Sequence, residues 1–268
     1  MMDFALDNLH QFTWVVCHSS AGKDSQTALR QVLHAADQQD YPRDRIVVSH
    51  QDLGRMEWPG TKELARLQAD IYGLRFEVTR YRDKRGQEKT LLDYARERLK
   101  WPDSSNRWCT SEYKRGPGNR LLTALSRERP GAILQVFGIR AEESPARRKK
   151  LVFEQDKRAS TGIKPVFNWL PIHGWSLEQV WADIELSGVP YHYAYDLGMP
   201  RLSCCFCIFA PKGALMLAAL HNPDLFEEYL ELEAFMGHDF QHKKPLRLIK
   251  EALDRGEEPP MVTGNWNM

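Results

Sequence analysis

The sequence predicts an α/β fold, with a doubly wound, mostly parallel sheet followed by a helical region that contains cysteines. Short runs of β-branched and apolar residues, typical of strands buried on both faces, alternate with helical patterns through the first half of the chain. After about residue 150, amphipathic and aromatic segments replace this alternation. Alternating strands and helices are typical of a parallel sheet that is covered by helices on both faces.

The individual elements follow from these patterns in chain order. Strand patterns occupy residues 12–19, 45–52, 75–81 and 132–140, and helical patterns occupy residues 24–37, 61–73, 90–100 and 118–129. Later in the chain, residues 175–188 are amphipathic, residues 191–209 are rich in aromatic and turn-forming residues, and residues 212–256 are predicted to be helical. We therefore expect an α/β domain over residues 1–165 and a largely helical, cysteine-containing region over residues 166–268.

Composition excludes several classes of protein. Hydrophobic residues make up 42% of the 268 residues and charged residues 27%, and the formal net charge is +1, so bulk charge does not indicate a polyanionic partner. The sequence contains neither a secretory pattern nor a membrane-spanning run, which predicts a cytoplasmic protein with no membrane partner. Three of the five cysteines lie within four residues, at 204–207. That spacing is typical of a metal site in a reducing compartment rather than of a disulfide framework.

The segment SSAGKDS, residues 19–25, joins the first predicted strand to the first predicted helix. Ligands bind at the carboxyl ends of strands in such sheets, and a helix N-terminus attracts anions. Gly22 lets the backbone approach a phosphate closely, Lys23 adds a charge, and Ser20 and Ser25 supply hydroxyl groups. The residue order differs from that of the Walker-type loop. The alternative interpretation is an ordinary surface turn.

The loop SAGKDS at residues 20–25 resembles the SGGKDS loop of the ATP pyrophosphatase superfamily. Residues 138–148, GIRAEESPARR, resemble the GxRxxES signature of the phosphoadenosine phosphosulfate (PAPS) reductase-like family. Residues 170–207 match that family's order of Pro, Trp-Ser, Val-Trp, Gly-x-Pro, Tyr-x-x-Gly, Arg and Cys-x-x-Cys. The resemblance covers about residues 12–210, implies the adenine nucleotide alpha hydrolase-like fold, and is closest in kind to the DNA phosphorothioation ATP pyrophosphatases. Ala21 replaces the first glycine of SGGKDS, and a positive φ there would strain alanine.

The resemblance implies that the first domain binds ATP with Mg²⁺. The nucleotide-binding residues would be Ser20, Gly22, Lys23, Asp24, Ser25, Asp52, Gly54 and Gly138, and the catalytic residues would be Lys23, Arg140 and Glu143. The chemistry of Arg140 agrees with this role, because a guanidinium group at a strand end suits a bidentate phosphate or sulfate contact. The alternative for Glu142 and Glu143 is an ion pair with Arg147 or Arg148 on a solvated turn.

The resemblance also implies a 4Fe–4S cluster. Its ligands would be Cys109, Cys204, Cys205 and Cys207. Cys204 and Cys205 are adjacent and reach one cluster only with unusual geometry, so a cluster with three protein ligands and an open iron is an alternative. Zinc or reduced structural cysteines are further alternatives, since thiolates suit both zinc and iron–sulfur sites. Cys17 lies in an apolar strand pattern and is predicted to be a buried small hydrophobic residue.

Three functions are consistent with these sequence features. The first is an ATP pyrophosphatase that adenylates an acceptor for sulfur transfer, as in DNA phosphorothioation. It would act with a cysteine desulfurase and other modification-complex proteins, and DNA would bind through the basic run 144–158, which His-Lys-Lys at 242–244 would extend. The second is a PAPS or adenylyl-sulfate reductase, which needs a nucleophilic cysteine in a mobile tail; the last cysteine here is Cys207. The third is a non-catalytic nucleotide-binding subunit. The alternative for the basic run is a solvated face.

Overall fold

The structure is a computed structural model that describes residues 6–262. The chain divides into two compact units. The first unit comprises residues 6–52, 60–79 and 117–192, and the second comprises residues 53–59, 80–116 and 193–262.

The first unit contains a six-stranded sheet. Its strands are β1 (Trp14–Ser19), β2 (Ile46–Gln51), β3 (Arg75–Thr79), β4 (Ile133–Val136), β5 (Phe153–Gln155) and β6 (Val166–Trp169). Their spatial order is β3-β2-β1-β4-β6-β5, and every neighbouring pair is parallel except β5 with β6. The mostly parallel α/β fold predicted from the sequence is confirmed.

The helices are distributed over both units. They are α1 (Lys23–Gln38), α2 (Thr61–Ile71), α3 (Leu91–Arg98), α4 (Trp108–Thr110), α5 (Gly116–Glu128), α6 (Pro145–Arg148), α7 (Leu177–Ser187), α8 (Lys212–His221), α9 (Pro223–Met236) and α10 (Arg247–Asp254). No helix within residues 6–262 has the length and apolar character needed to span a bilayer.

The sheet is covered on both faces because alternate residues of each strand point in opposite directions. Val15 and Cys17 of β1 pack with α1 and α7, as expected for Cys17. Trp14 and Val16 pack with Leu122 and other apolar residues of α5. Burial on both faces explains why the parallel strands appear in the sequence as continuous apolar runs.

The two units differ from the predicted division between residues 165 and 166. β6 begins at residue 166 and pairs in parallel with β4, so it belongs to the sheet unit. α7 also packs on α1 within that unit. The second unit takes in residues 80–116 of the first half, because their apolar side chains share a core with those of the C-terminal helices.

The core of the second unit is aromatic. Trp101 stacks on Tyr229, with ring centroids 5.3 Å apart, and Phe240 meets both rings edge-on. The buried carboxylate of Glu233 accepts hydrogen bonds from the N–H groups of Phe240 and Leu246. These bonds fix the connection between α9 and α10, because a buried carboxylate is stable only where it is hydrogen-bonded.

Candidate nucleotide and cysteine sites

The loop between β1 and α1 is held by hydrogen bonds among its own residues. The Ser25 hydroxyl donates to the Gly22 carbonyl at 2.8 Å, and the Ser20 N–H donates to Ser25 Oγ at 3.3 Å. The Ala21 N–H donates to Ser19 Oγ at 3.1 Å. Gly22 is the N-cap of α1 and has no side chain with which to cap the first N–H groups of the helix. These groups are therefore suited to an anion.

Ala21 occupies a left-handed backbone conformation. Its φ is +56°, and its side chain is completely buried. This conformation costs a residue with a Cβ about 1–2 kcal/mol but costs glycine little. The strain expected for alanine at the first glycine position of SGGKDS is therefore present.

Asp24 links two buried cations at the start of α1. Its carboxylate lies 2.9 Å from Lys23 Nζ and 2.7 Å from Arg140 Nε, and both cationic side chains are almost fully buried. Burial by itself would raise the pKa of Asp24, but the charges of Lys23 and Arg140 outweigh burial and lower it. The acid is thus ionised and fixes both cations beside the loop.

Gly138 allows the segment after β4 to lie against the first turn of α1. A Cβ at this position would be 2.3 Å from the Asp24 carbonyl oxygen and 2.6 Å from the Ser25 nitrogen. Backbone atoms cannot move aside as a flexible side chain can, so only glycine fits. Arg140 reaches Asp24 from this segment.

Two glutamates hold the chain around Arg140. Glu143 Oε2 accepts a hydrogen bond from the Arg140 N–H at 2.9 Å and forms an ion pair with Arg147. Glu142 pairs with the Arg140 guanidinium and accepts a hydrogen bond at 3.0 Å from the N–H of Leu177, the first residue of α7. The Glu143–Arg147 pair is the ion pair that the structural alternative for these glutamates predicts. A catalytic role for Glu143 stays a prediction.

Two of the predicted nucleotide-binding residues, Asp52 and Gly54, lie in different units. Asp52 is buried just after β2, with its carboxylate 3.9 Å from Lys62 Nζ and its N–H donating to the Thr79 carbonyl at 2.9 Å. Gly54 belongs to the second unit, where it has a φ of +61° and begins a 3₁₀ turn, Gly54–Met56. Their nucleotide-binding roles stay predictions.

Sequence reasoning missed a row of neutral polar side chains on the α5 face of the sheet. Gln135 Oε1 can only accept, so His18 Nε2 donates to it at 2.8 Å, and Gln51 Nε2 donates to His18 Nδ1 at 3.3 Å. Burial lowers the pKa of His18, although both glutamine contacts act to raise it. The sequence signal was a histidine and two glutamines at the ends of otherwise apolar strands.

Three of the predicted cysteine ligands lie together in the second unit. Burial raises the pKa of Cys204 to about 12, and the nearby charges of Cys207 and Cys109 contribute to the increase. All three side chains pack at the edge of the apolar core. Three thiols grouped at the edge of one core could hold a shared metal or cluster, where binding would replace their protons.

Cys205 is placed differently from the other three. It is only 1% exposed, lies inside the apolar core, and donates its N–H to the Met56 carbonyl at 2.8 Å. Burial is the main cause of its raised pKa, followed by the charge of Cys204. This placement favours the three-ligand alternative over a set of four.

Lys114 is a second residue that sequence reasoning missed. Its residue surface is exposed. Partial loss of hydration would lower its pKa, but the charges of Cys204, Glu57, Cys207 and Cys109 raise it. It lies in the π-helical turn Ser111–Arg115 that follows α4, and such turns are frequent at functional sites. Its position five residues after Cys109 was the available signal. Its charge would offset that of thiolates holding a metal.

A family comparison identifies the chain. The model described as the phosphoadenosine phosphosulfate reductase domain matches residues 14–210. The chain belongs to this family. The matched span contains the loop 20–25, the Arg140 segment and all five cysteines.

Two curated proteins are similar to this PAPS reductase domain. An uncharacterized 37.8 kDa protein in the gpa 5′ region of Escherichia phage 186 is 28% identical over 147 residues, which is 55% of this chain and 43% of the phage protein. The adenosine 5′-phosphosulfate reductase of Shouchella clausii is 33% identical over 88 residues, which is 33% of this chain and 34% of the reductase. The match thus spans less than half the length of either relative.

Among solved structures, the PAPS reductase of Candida auris in a phosphate complex has a TM-score of 0.49 and 21% identity. The comparison covers 72% of this chain and 82% of that enzyme.

The two sites of this PAPS reductase domain differ in their chemistry. In the first unit, the α1 N-terminus, Lys23 and Arg140 can stabilise negative charge on a phosphate or sulfate group. In the second unit, Cys109, Cys204 and Cys207 could hold iron–sulfur or zinc, because thiolates suit both.

Proposed function

We propose that this protein is an ATP pyrophosphatase that adenylates an acceptor for sulfur transfer in DNA phosphorothioation. The observation that carries the proposal is the pair of buried cations, Lys23 and Arg140, that Asp24 fixes at the α1 N-terminus. Charges positioned in advance stabilise the charge that develops during phosphoryl transfer, and they do so without rearranging during the reaction. With this arrangement, the reaction does not need a protein base to deprotonate the attacking oxygen.

In the proposed reaction, a phosphate oxygen of the acceptor attacks the α-phosphorus of ATP and forms an acceptor–AMP phosphoanhydride, while pyrophosphate leaves. A sulfur nucleophile then attacks the activated acceptor, and AMP departs with the acceptor oxygen. The α1 N–H groups and Lys23 orient the phosphates, which carry Mg²⁺, and Arg140 offsets the charge on the departing group. Ser20 offers a further hydroxyl contact to the phosphates, and Ser25 would offer one only on releasing the Gly22 carbonyl.

The cysteine site supports the sulfur-transfer part of the proposal. Cys109, Cys204 and Cys207 would hold a 4Fe–4S cluster, with zinc as the alternative. Held by these three thiolates, such a cluster would supply an iron able to bind sulfur. A cysteine desulfurase would supply the sulfur. Lys114 would offset the negative charge of the ligands.

DNA is the proposed acceptor, and the run 144–158 would contact it. The residues immediately after the segment that carries Arg140 include three exposed cations, Arg148, Lys149 and Lys150. Arg147 forms an ion pair with Glu143. Exposed lysine and arginine side chains supply most of the affinity for a phosphate backbone.

The second candidate is a sulfonucleotide reductase, which the names of several relatives favour. Such an enzyme needs an accessible thiolate to take the sulfonate group. Cys17 and Cys205 are almost fully buried, and burial raises the pKa of both thiols. The other three cysteines are grouped as potential ligands. This placement supports the pyrophosphatase over the reductase.

The experiment that tests the proposal is a product assay on anaerobically purified protein. The protein receives ATP, adenylyl sulfate or PAPS in parallel, with a thiol reductant, with and without DNA. We expect AMP and pyrophosphate from ATP, in amounts that DNA increases. Sulfite from either sulfonucleotide would overturn the proposal, and the absence of all products would favour the non-catalytic subunit.

Two variants show whether the measured activity belongs to this site. Lys23→Ala should lower AMP formation by at least about tenfold, since it removes a preorganised charge from the phosphates. Asp24 keeps its contact with Arg140 in this variant, so the fold should persist. Arg43→Ala is the control, because Arg43 forms an exposed pair with Asp37 in the same unit. Equal activity in all three proteins would refute the assignment.

A further inference from the structure

The turn Gln241–Lys244 is fixed against the segment that follows Cys207. The Gln241 side-chain amide donates hydrogen bonds to the carbonyl oxygens of Ile208 and Ala210, both at 2.9 Å. The Lys244 N–H closes the turn by donating a hydrogen bond to the Gln241 carbonyl at 2.8 Å. The buried carboxylate of Glu233 also accepts hydrogen bonds from the residues on either side of this turn. The exposed residues of the turn therefore have a defined position beside the cysteine segment.

Lys243 is held in a strained conformation at this turn. Its φ is +57°, in the left-handed region where glycine or asparagine is preferred. The side chains of Lys243 and Lys244 are both exposed. Strained residues persist where the surrounding structure enforces them, and they cluster at functional sites. A lysine at a position that suits glycine therefore points to a use for its charge.

Arg107 adds a third cation to the same segment. It is exposed, its guanidinium carbon lies 5.0 Å from the ring centroid of Phe209, and it precedes Cys109 by two residues. Within residues 6–262, Arg107, Lys243 and Lys244 form no ion pair with a carboxylate. By contrast, Lys212 and Lys250 of the same unit each pair with a glutamate. The cations beside the cysteine segment thus remain available to an external anion.

We propose that Arg107, Lys243 and Lys244 form a binding surface for the phosphate backbone of a nucleic acid. The proposal rests on the proposed function and specifies where in the second unit the acceptor backbone lies, namely beside residues 207–210. Separate cationic side chains on a fixed scaffold suit a chain of phosphates, because each contact releases a condensed counterion. Contacts of this kind position a nucleic acid without reading its sequence.

The test measures binding of the full chain to short fluorescent nucleic acids by anisotropy, over a series of salt concentrations and without ATP. For duplex DNA, log K of association falls as log salt rises. The triple variant Arg107→Ala/Lys243→Ala/Lys244→Ala should make this slope less steep by about 2.7, since each phosphate contact contributes about 0.9. The control Lys212→Ala/Lys250→Ala should leave the slope unchanged. Parallel arms with single-stranded DNA and duplex RNA identify the preferred nucleic acid.

A second variant separates lost contacts from lost folding. Lys243→Gly removes one cation and also relieves the backbone strain, so the melting temperature should stay the same or rise while the salt slope falls by about 0.9. Affinity and slope equal to wild type in the triple variant, or an equal loss in the control, would overturn the proposal. Because ATP is absent, failure of the pyrophosphatase assay leaves this binding result standing.

Discussion

Replacing Ala21 with glycine tests whether the loop between β1 and α1 carries backbone strain. Ala21 has a φ of +56° and is completely buried, so three contributions to the free energy of unfolding change. Glycine relieves about 1–2 kcal/mol of left-handed strain. The variant also loses a buried methyl group worth about 0.8 kcal/mol. Glycine gives the unfolded chain more conformational entropy, which destabilises the folded state by about 0.4–1 kcal/mol. The free energy of unfolding should therefore change by less than about 1 kcal/mol.

A matched substitution in α1 supplies the reference. Ala28 is 2% exposed and lies in the helix interior with an ordinary helical backbone. Ala28→Gly loses about 1 kcal/mol of helix propensity and about 0.8 kcal/mol of buried methyl, so it should destabilise the protein by about 2 kcal/mol. The two alanines differ in backbone conformation, so the difference between the variants reports the strain at Ala21.

Urea unfolding followed by circular dichroism measures both variants, and equal m-values would show that the unfolded states are comparable. A loss for Ala21→Gly as large as that for Ala28→Gly would refute the reasoning. ATP binding should survive in the glycine variant, because Ser25 and Gly22 keep their hydrogen bond.

The remaining predictions concern the strand ends and the cysteines. Gly138→Ala places a methyl group 2.3 Å from the Asp24 carbonyl, so it should destabilise the protein by about 1–3 kcal/mol and weaken ATP binding; an unchanged ATP affinity would contradict this. Burial lowers the pKa of His18, so the unfolded state binds more protons and the free energy of unfolding falls as the pH drops below 6.5. His18→Gln should reduce this fall in urea titrations. An equal fall would exclude His18 as its source. After anaerobic reconstitution, Cys109→Ala should lose bound iron while Cys205→Ala retains it; equal iron contents would refute the three-ligand site.

Most of the sheet could be predicted from the sequence, because strands buried on both faces form uninterrupted apolar runs. β1, β2, β3 and β4 lie within the expected segments, and α1 and α2 begin within one residue of the expected positions. β6 was missed because Val166–Trp169 is only four residues long, with a buried residue at each end and two half-buried residues between them, and so shows no pattern. The pairing of β6 with β4 is a long-range contact that no local pattern encodes.

The parts of the candidate site that are formed by neighbouring residues in the sequence could be predicted. The loop residues from Ser20 to Ser25 lie together because they are consecutive, and Arg140 could be expected nearby because parallel strands end at one edge. The direction in which Cys205 points could not be read from its spacing, because its packing in the core of the second unit decides it. The same holds for Lys114, whose approach to the cysteines depends on the π-helical turn.

Asp24 explains how two cations can be buried side by side at the start of α1. Buried Lys23 and Arg140 would repel each other and lose their hydration, and each missing partner would cost several kcal/mol. The Asp24 carboxylate contacts one cation with each oxygen, at 2.9 and 2.7 Å, and so offsets both effects. An arriving phosphate then meets two cations that are already in place. The cations do not have to be gathered at that moment. Asp24 can contact both cations because it follows Lys23 in the loop and lies opposite Arg140 at the start of α1. The aspartate of SAGKDS is therefore best understood as the residue that holds the cationic site ready for a ligand.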